Sequence, residues 1–186
     1  MHQLKKLSTV ACVMLAFGVA MAQTTHEVLM ATEMVEGRPI PEFYFEPVGL
    51  LIAPGDTIEF IATGPHHTAT AYHAQHVKSH RVPEGVEPFS SPVVPVGERW
   101  SYTFTIEGTY DIWCAPHEHY GMVMRVIVGA PGGPAAAAIE DRSPVGVYAQ
   151  AAAVLDDPAL DPARIMSVGS VMWAEISAAA KALPGQ

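Results

Sequence analysis

Cysteine is nearly missing from this chain. Its 186 residues hold two, and one of them, Cys12, lies in an N-terminal apolar run. The other, Cys114, has no mate beyond that run, so a disulfide framework is excluded. Basic residues are scarce as well, ten against 19 acidic ones. All the acidic residues follow Ala22, whereas Lys5 and Lys6 precede it, so the chain beyond Ala22 has a net charge of −11 with histidine neutral. Such a chain does not bind nucleic acid or anionic lipid by charge, and a basic protein partner suits it. No apolar run after Ala22 is long enough to span a membrane. No solenoid repeat is visible. No nucleophile–base pair stands out, so neither catalysis nor a small-molecule substrate is expected.

The N-terminus reads as an export signal. Lys5 and Lys6 precede an uncharged apolar stretch, residues 7–20, and Ala20-Met21-Ala22 has the small-x-small pattern of a cleavage site. Residues 1–22 are therefore expected to be a signal peptide, with a periplasmic or secreted protein beginning at Gln23. No stable membrane insertion is expected after cleavage. In an oxidising compartment a single leftover cysteine needs a reason. A metal bond supplies one, because it holds and protects the thiolate.

From His26 to Ala71 the pattern is that of short strands. Ile58 and Phe60 share one face of 57–62 while Thr57 and Glu59 share the other. Residues 72–97 hold four prolines and three histidines, and predict a long irregular connection. Alternation returns at Trp100, Tyr102, Phe104 and Ile106, then at Tyr110, Ile112 and Cys114, then at Met124, Val126 and Val128. Short strands separated by turns predict a mainly β protein, an antiparallel β-sandwich. Composition shifts at Gly129. Residues 130–137 read as a flexible linker of small residues. Residues 138–186 then take a helical period. One helix begins after Ser143-Pro144, and a second runs from Asp161-Pro162 to Leu183. Together they predict a C-terminal helical hairpin.

Cys114, His117 and Met122 fall on one short loop between two strand-like runs, spaced C-x2-H-x4-M. Thiolate and thioether are soft ligands and imidazole is borderline. Two histidines and a cysteine with a weak methionine make the blue-copper electron-transfer set. Zinc prefers four firm tetrahedral ligands, and a thioether is a poor one. Taken singly, a cysteine, a histidine or a methionine here reads as core or surface. The spacing and the unpaired cysteine argue for them as a set. Met124 points the same way as Met122, but the spacing and Gly121 favour Met122.

The stretch GTYDIWCAPHEHYGM and the upstream APGDTIEF resemble the cupredoxins, in particular the plastocyanin, pseudoazurin and halocyanin group. The resemblance spans residues 43–129, within a copper domain expected over 23–129. It implies a Greek-key sandwich with one copper ion, cycling between Cu(I) and Cu(II), at one end. It implies a second histidine before a small-and-branched run. His67, directly before Thr-Ala-Thr, fits; His66, after Pro65, stays open as an alternative. The resemblance also implies that the amide of Thr68 donates to the cysteine sulfur. The expected metal set is thus His67, Cys114, His117 and Met122.

The resulting expectation is a periplasmic blue copper protein shuttling single electrons between a redox donor and acceptor protein. The alternative is an exported copper carrier or store that also uses His66, His73, His76 or His80. The apolar stripes of the C-terminal helices must be buried on the sandwich flank, on another copy of the chain by self-association, or on a partner.

Overall fold

A computed structural model describes residues 22–182. The expected signal segment lies outside the described residues except for Ala22, as does the end of the second expected helix at Leu183. Eight strands form the body: β1 (Thr25–Glu33), β2 (Glu42–Glu46), β3 (Gly49–Ile52), β4 (Thr57–Ala62), β5 (Thr70–Ala71), β6 (Arg99–Thr103), β7 (Gly108–Trp113) and β8 (Val123–Val128). The extension adds α1 (Ala149–Leu155), α2 (Pro162–Val168), β9 (Ser170–Val171) and α3 (Ala178–Lys181). One sheet has the order β2-β1-β4-β6 and the other β5-β7-β8-β3-β9. The mainly β sandwich with a helical extension is thus present. Its sheets are mixed rather than wholly antiparallel, since β1 runs parallel to β4 and β3 parallel to β8. The chain passes between sheets at Pro47 and again at Pro54-Gly55, so strands that become neighbours arrive in the same direction.

Alternation in the sequence becomes the core. Ile58, Phe60 and Ala62 of β4 are fully buried while their neighbours are half-exposed. The irregular connection contains one short 3₁₀ turn, Ala74–His76. Phe89, from the same connection, stacks on Tyr102 of β6 at 3.9 Å between ring centres.

β7 and β8 are buried on both faces. The extension covers the side where alternation alone would put water. Val147, Ala151, Leu155, Leu160 and Ile165 join one continuous apolar core with the sandwich. Asp111 and Arg125 therefore become interior charges. Arg125 Nε donates to Asp111 Oδ1 at 2.8 Å, and Arg81 Nε donates to Asp111 Oδ2 at 2.7 Å. Arg125 Nη2 also donates to Asp111 Oδ2 at 3.0 Å, and other guanidinium donors reach the carbonyls of Ala135, Ala137, Leu155 and Leu160. Residues 130–137, expected to be a flexible linker, are therefore tied down by two buried arginines.

The second expected helix also differs. Asp161 caps α2 through the Ala163 amide, with Pro162 in the first turn. The helix then stops at Gly169, whose φ is 81°. Beyond it, Val171 pairs with Gly49, and the Gly169 carbonyl accepts from the Leu51 amide at 2.8 Å. Backbone groups on the open edge of β3 require partners, and this demand overrides the helical period at Ser170–Val171, after which only short helical turns return, at Trp173–Glu175 and Ala178–Lys181. Trp173 donates its indole N–H to Glu42 at 2.7 Å and stacks on Tyr44.

Candidate metal centre

β7 delivers Cys114 as the first residue beyond its end. The loop that follows closes on itself through its backbone. Cys114 N–H donates to the Met122 carbonyl at 3.1 Å, and the carbonyl of Cys114 accepts from His117 N–H at 3.0 Å. The Met122 amide in turn donates to the His117 carbonyl at 3.2 Å. Gly121 makes the turn possible: its φ is 92°, a left-handed conformation that glycine adopts without steric cost.

His67 arrives on the segment between β4 and β5, three residues before β5 pairs with β7, and its backbone bridges to Val94. The structure brings three of the four predicted residues into one triangle. Cys114 Sγ lies 3.8 Å from His67 Nδ1 and 3.5 Å from His117 Nδ1, and the two Nδ1 atoms are 3.2 Å apart. Among the described residues this is the one group of three or more metal-type donors gathered so closely. A point equidistant from these three atoms lies about 2.0 Å from each, close to the ~2.0–2.3 Å that imidazole and thiolate make to a first-row ion. The donors thus fit a metal of that size. Met122 is fully buried at the end of the same loop, and Met124 sits in β8 opposite Ile112. His66 is exposed, with φ 63°, and presents its carbonyl oxygen 4.0 Å from the sulfur.

Neighbouring groups fix each donor. Thr32 Oγ1 meets His67 Nε2 at 2.9 Å, which leaves Nδ1 for the triangle. The Thr68 amide donates to Cys114 Sγ at 3.3 Å, and Thr68 Oγ1 accepts from the Ala115 amide at 2.8 Å. Phe43 stacks on the His117 ring at 4.0 Å with the planes 8° apart. Glu118, next in sequence to His117, is buried and accepts from the Tyr72 hydroxyl at 2.7 Å and the Tyr148 amide at 3.2 Å. It also pairs with Lys78. Sequence reasoning missed Thr32, Phe43 and Glu118, because each reaches the site only through the fold.

Burial sets the charge state. It pushes both imidazoles down to about 4, His67 with help from His117 and His66, His117 with help from His119 and His66. It pushes the Cys114 thiol up to about 11, against the hydrogen bonds from Thr68 and His117. Both imidazoles and the thiol are therefore held neutral at pH 7. A bound cation reverses the preference of the thiol and releases its proton.

The family model for copper-binding proteins of the plastocyanin/azurin family matches residues 32–129. The pseudoazurin of Paracoccus pantotrophus is 34% identical over 123 residues, which is 66% of this chain and 76% of that protein. The chloroplastic plastocyanin of Silene latifolia subsp. alba is 35% identical over 107 residues, 53% of this chain and 61% of that protein. Among solved structures, native pseudoazurin from Hyphomicrobium denitrificans aligns with a TM-score of 0.45 at 30% identity, covering 57% of this chain and 77% of that one.

Proposed function

The chain belongs to the plastocyanin/azurin family of copper-binding proteins, and from that premise we propose that it is an exported one-electron carrier. Membership implies copper electron transfer. The finer reading concerns the ligands, the partners and the place of work. His67, Cys114, His117 and Met122 hold the metal in this reading. The observation that carries it is the triangle of two Nδ1 atoms and one Sγ, with sides of 3.2 to 3.8 Å.

Bound copper supplies a reversible one-electron couple between Cu(I) and Cu(II). The chain's own residues keep the cost of that exchange low. Thr32 and the closed backbone of residues 114–122 hold the donors in place, so little has to move. The Thr68 amide draws electron density from the sulfur. His117 is 9% exposed and the neighbouring Ala115 and Pro116 are open to solvent, so a partner can approach its ring edge. The acidity of the chain suits a basic redox partner. No substrate chemistry is assigned to the site, in keeping with relatives that are carriers rather than enzymes. The signal-like pattern of residues 1–22 supports export, to the periplasm or as a secreted protein.

A copper titration followed by visible spectroscopy tests the reading. Wild type should take up one tight copper with an intense thiolate-to-copper band and a reversible potential. Cys114→Ala and His67→Ala should each lose the band, whereas His66→Ala should keep it. A Cys114→Ala protein that stayed coloured would sink the ligand assignment. Ready loss of copper to a chelator would favour the delivery role instead.

A further inference from the structure

Three more histidines meet in the connection after β5. The ring of His73 lies 4.8 Å from that of His80 and 6.4 Å from that of His76, both edge-to-face. The Nε2 atoms of His76 and His80 are buried and have no hydrogen-bond partner; among the described residues no other side-chain nitrogen or oxygen shares that condition. Buried polar atoms are nearly always paired, and an orphan calls for an ion or a water to complete it. Two such atoms in one small cluster call for the same thing.

The chemistry around them is that of a cation site. His80 Nε2 stands 4.0 Å from a carboxylate oxygen of Glu84, whose side chain is 89% exposed and free to swing inward. His73 Nδ1 accepts from the Gln75 amide at 3.1 Å, which fixes its tautomer and puts its proton on Nε2. His73 therefore packs beside the cluster as an orienting neighbour, while His76 and His80 keep lone pairs to give. The ammonium of Lys78, from the same connection, is engaged with Glu118 and the Pro144 carbonyl.

We propose that His76, His80 and Glu84 form a second, exchangeable site for a divalent first-row cation such as zinc. The residues are spaced H-x3-H-x3-E. Two imidazoles and one carboxylate are a borderline-to-hard donor set that takes Zn²⁺ and leaves positions open for water. With no thiolate or thioether, it does not take Cu(I) as the first centre does. Its three donors stand further apart than those of the copper triangle, so the Glu84 side chain and the histidine rings close on the ion as it binds. The proposal shares no ligand with the copper centre and does not depend on that assignment.

The test uses copper-loaded protein, so that the first centre is filled, and zinc chloride as the probe in isothermal titration calorimetry. Wild type should bind one equivalent of zinc. The double variant His76→Ala/His80→Ala should lose it, and Glu84→Gln should weaken it about tenfold or more, the scale on which metal sites feel lost partners. His26→Ala, at a histidine paired with Asp56 and outside both sites, should bind as wild type. The visible copper band should persist in every variant and serves as the check on folding. No zinc uptake by wild type overturns the site. So does equal uptake by the double variant, or loss of uptake in His26→Ala.

Discussion

Replacing Glu118 by alanine probes how the copper loop is held. The Glu118 carboxylate is 1% exposed, and its partner Lys78 has a side chain only 6% exposed. Removing one member of a buried ion pair costs about 3–5 kcal/mol, because the other charge is left behind without compensation. Lys78 is not wholly abandoned. Its ammonium also reaches the Pro144 carbonyl at 2.6 Å and lies 4.7 Å from the ring centres of Trp113 and Tyr148. That argues for the lower end, about 3 kcal/mol. The fully buried Tyr72 hydroxyl then loses its acceptor, which adds about 1 kcal/mol. A chain of this size loses roughly 2–4 °C of Tm per kcal/mol, so the melt should fall by about 8–16 °C. The assay is thermal unfolding of copper-free protein, where metal binding does not mask the change. Glu118→Ala/Lys78→Met should recover part of the loss, since no charge is stranded. A single variant melting within about 2 °C of wild type would refute the reasoning. A double variant no better than the single one would do the same.

Asp56 accepts from the amides of Thr24 at 2.8 Å and Ala53 at 3.0 Å, and meets His26 Nε2 at 2.9 Å. Burial raises its pKa, but the His26 bond and the two amides outweigh burial and hold it below the ordinary carboxylate value. Its stabilisation is therefore complete above the unfolded pKa of about 3.9 and vanishes as pH falls through the lower folded value. Urea midpoints of wild type and Asp56→Asn should differ at pH 7 and converge below about pH 4. Phe43→Leu keeps apolar area but loses the parallel stack on His117, and should cost about 0.5–1.5 kcal/mol in thermal melts of copper-free protein. A Cβ on Gly49 would meet Leu160 at 2.8 Å and Val171 at 3.1 Å. Gly49→Val should therefore cost about 1–3 kcal/mol by overpacking and speed proteolysis between residues 138 and 182.

What could be read from the sequence was what is local. Cys114, His117 and Met122 lie within nine residues, so their spacing was visible without a fold. The strand at 57–62 alternates because one face meets the core and the other meets water, and that contrast survives in the sequence. His67 was reached through the family resemblance, since nothing near it in sequence points to Cys114. Phe43 and Glu118 had no signal. An aromatic at the start of a strand and a glutamate in a polar loop gain their roles only from what the fold sets against them. The interior charges Asp111 and Arg125 read as the solvent face of β7 and β8, and alternation had no way to register a segment that packs on top. The run after Gly169 kept a helical period because its apolar residues still face the core. The backbone demand of the β3 edge, invisible to periodicity, makes Ser170–Val171 a strand and breaks the period into short helical turns.

The extension and the copper loop meet on one side only. α1 lies behind the short 3₁₀ turn Glu118–Tyr120, and Gln150 and Val154 lie against Gly121. The Tyr148 amide and the Lys78 ammonium tie the same turn to the sandwich through one carboxylate. Ala115 and Pro116 of the same loop stay open to solvent. A loop anchored in this way has its donors fixed by the body of the protein. This anchoring explains why buried charges are tolerated beside a metal pocket. Glu118 contributes by holding the turn after His117, and its charge is cancelled by Lys78 before it can reach the sulfur. A one-electron site gains from rigidity of this kind, because every movement of a donor between oxidation states adds to the barrier for transfer. The extension, which no residue in the copper loop foretells, supplies that rigidity from outside the sandwich.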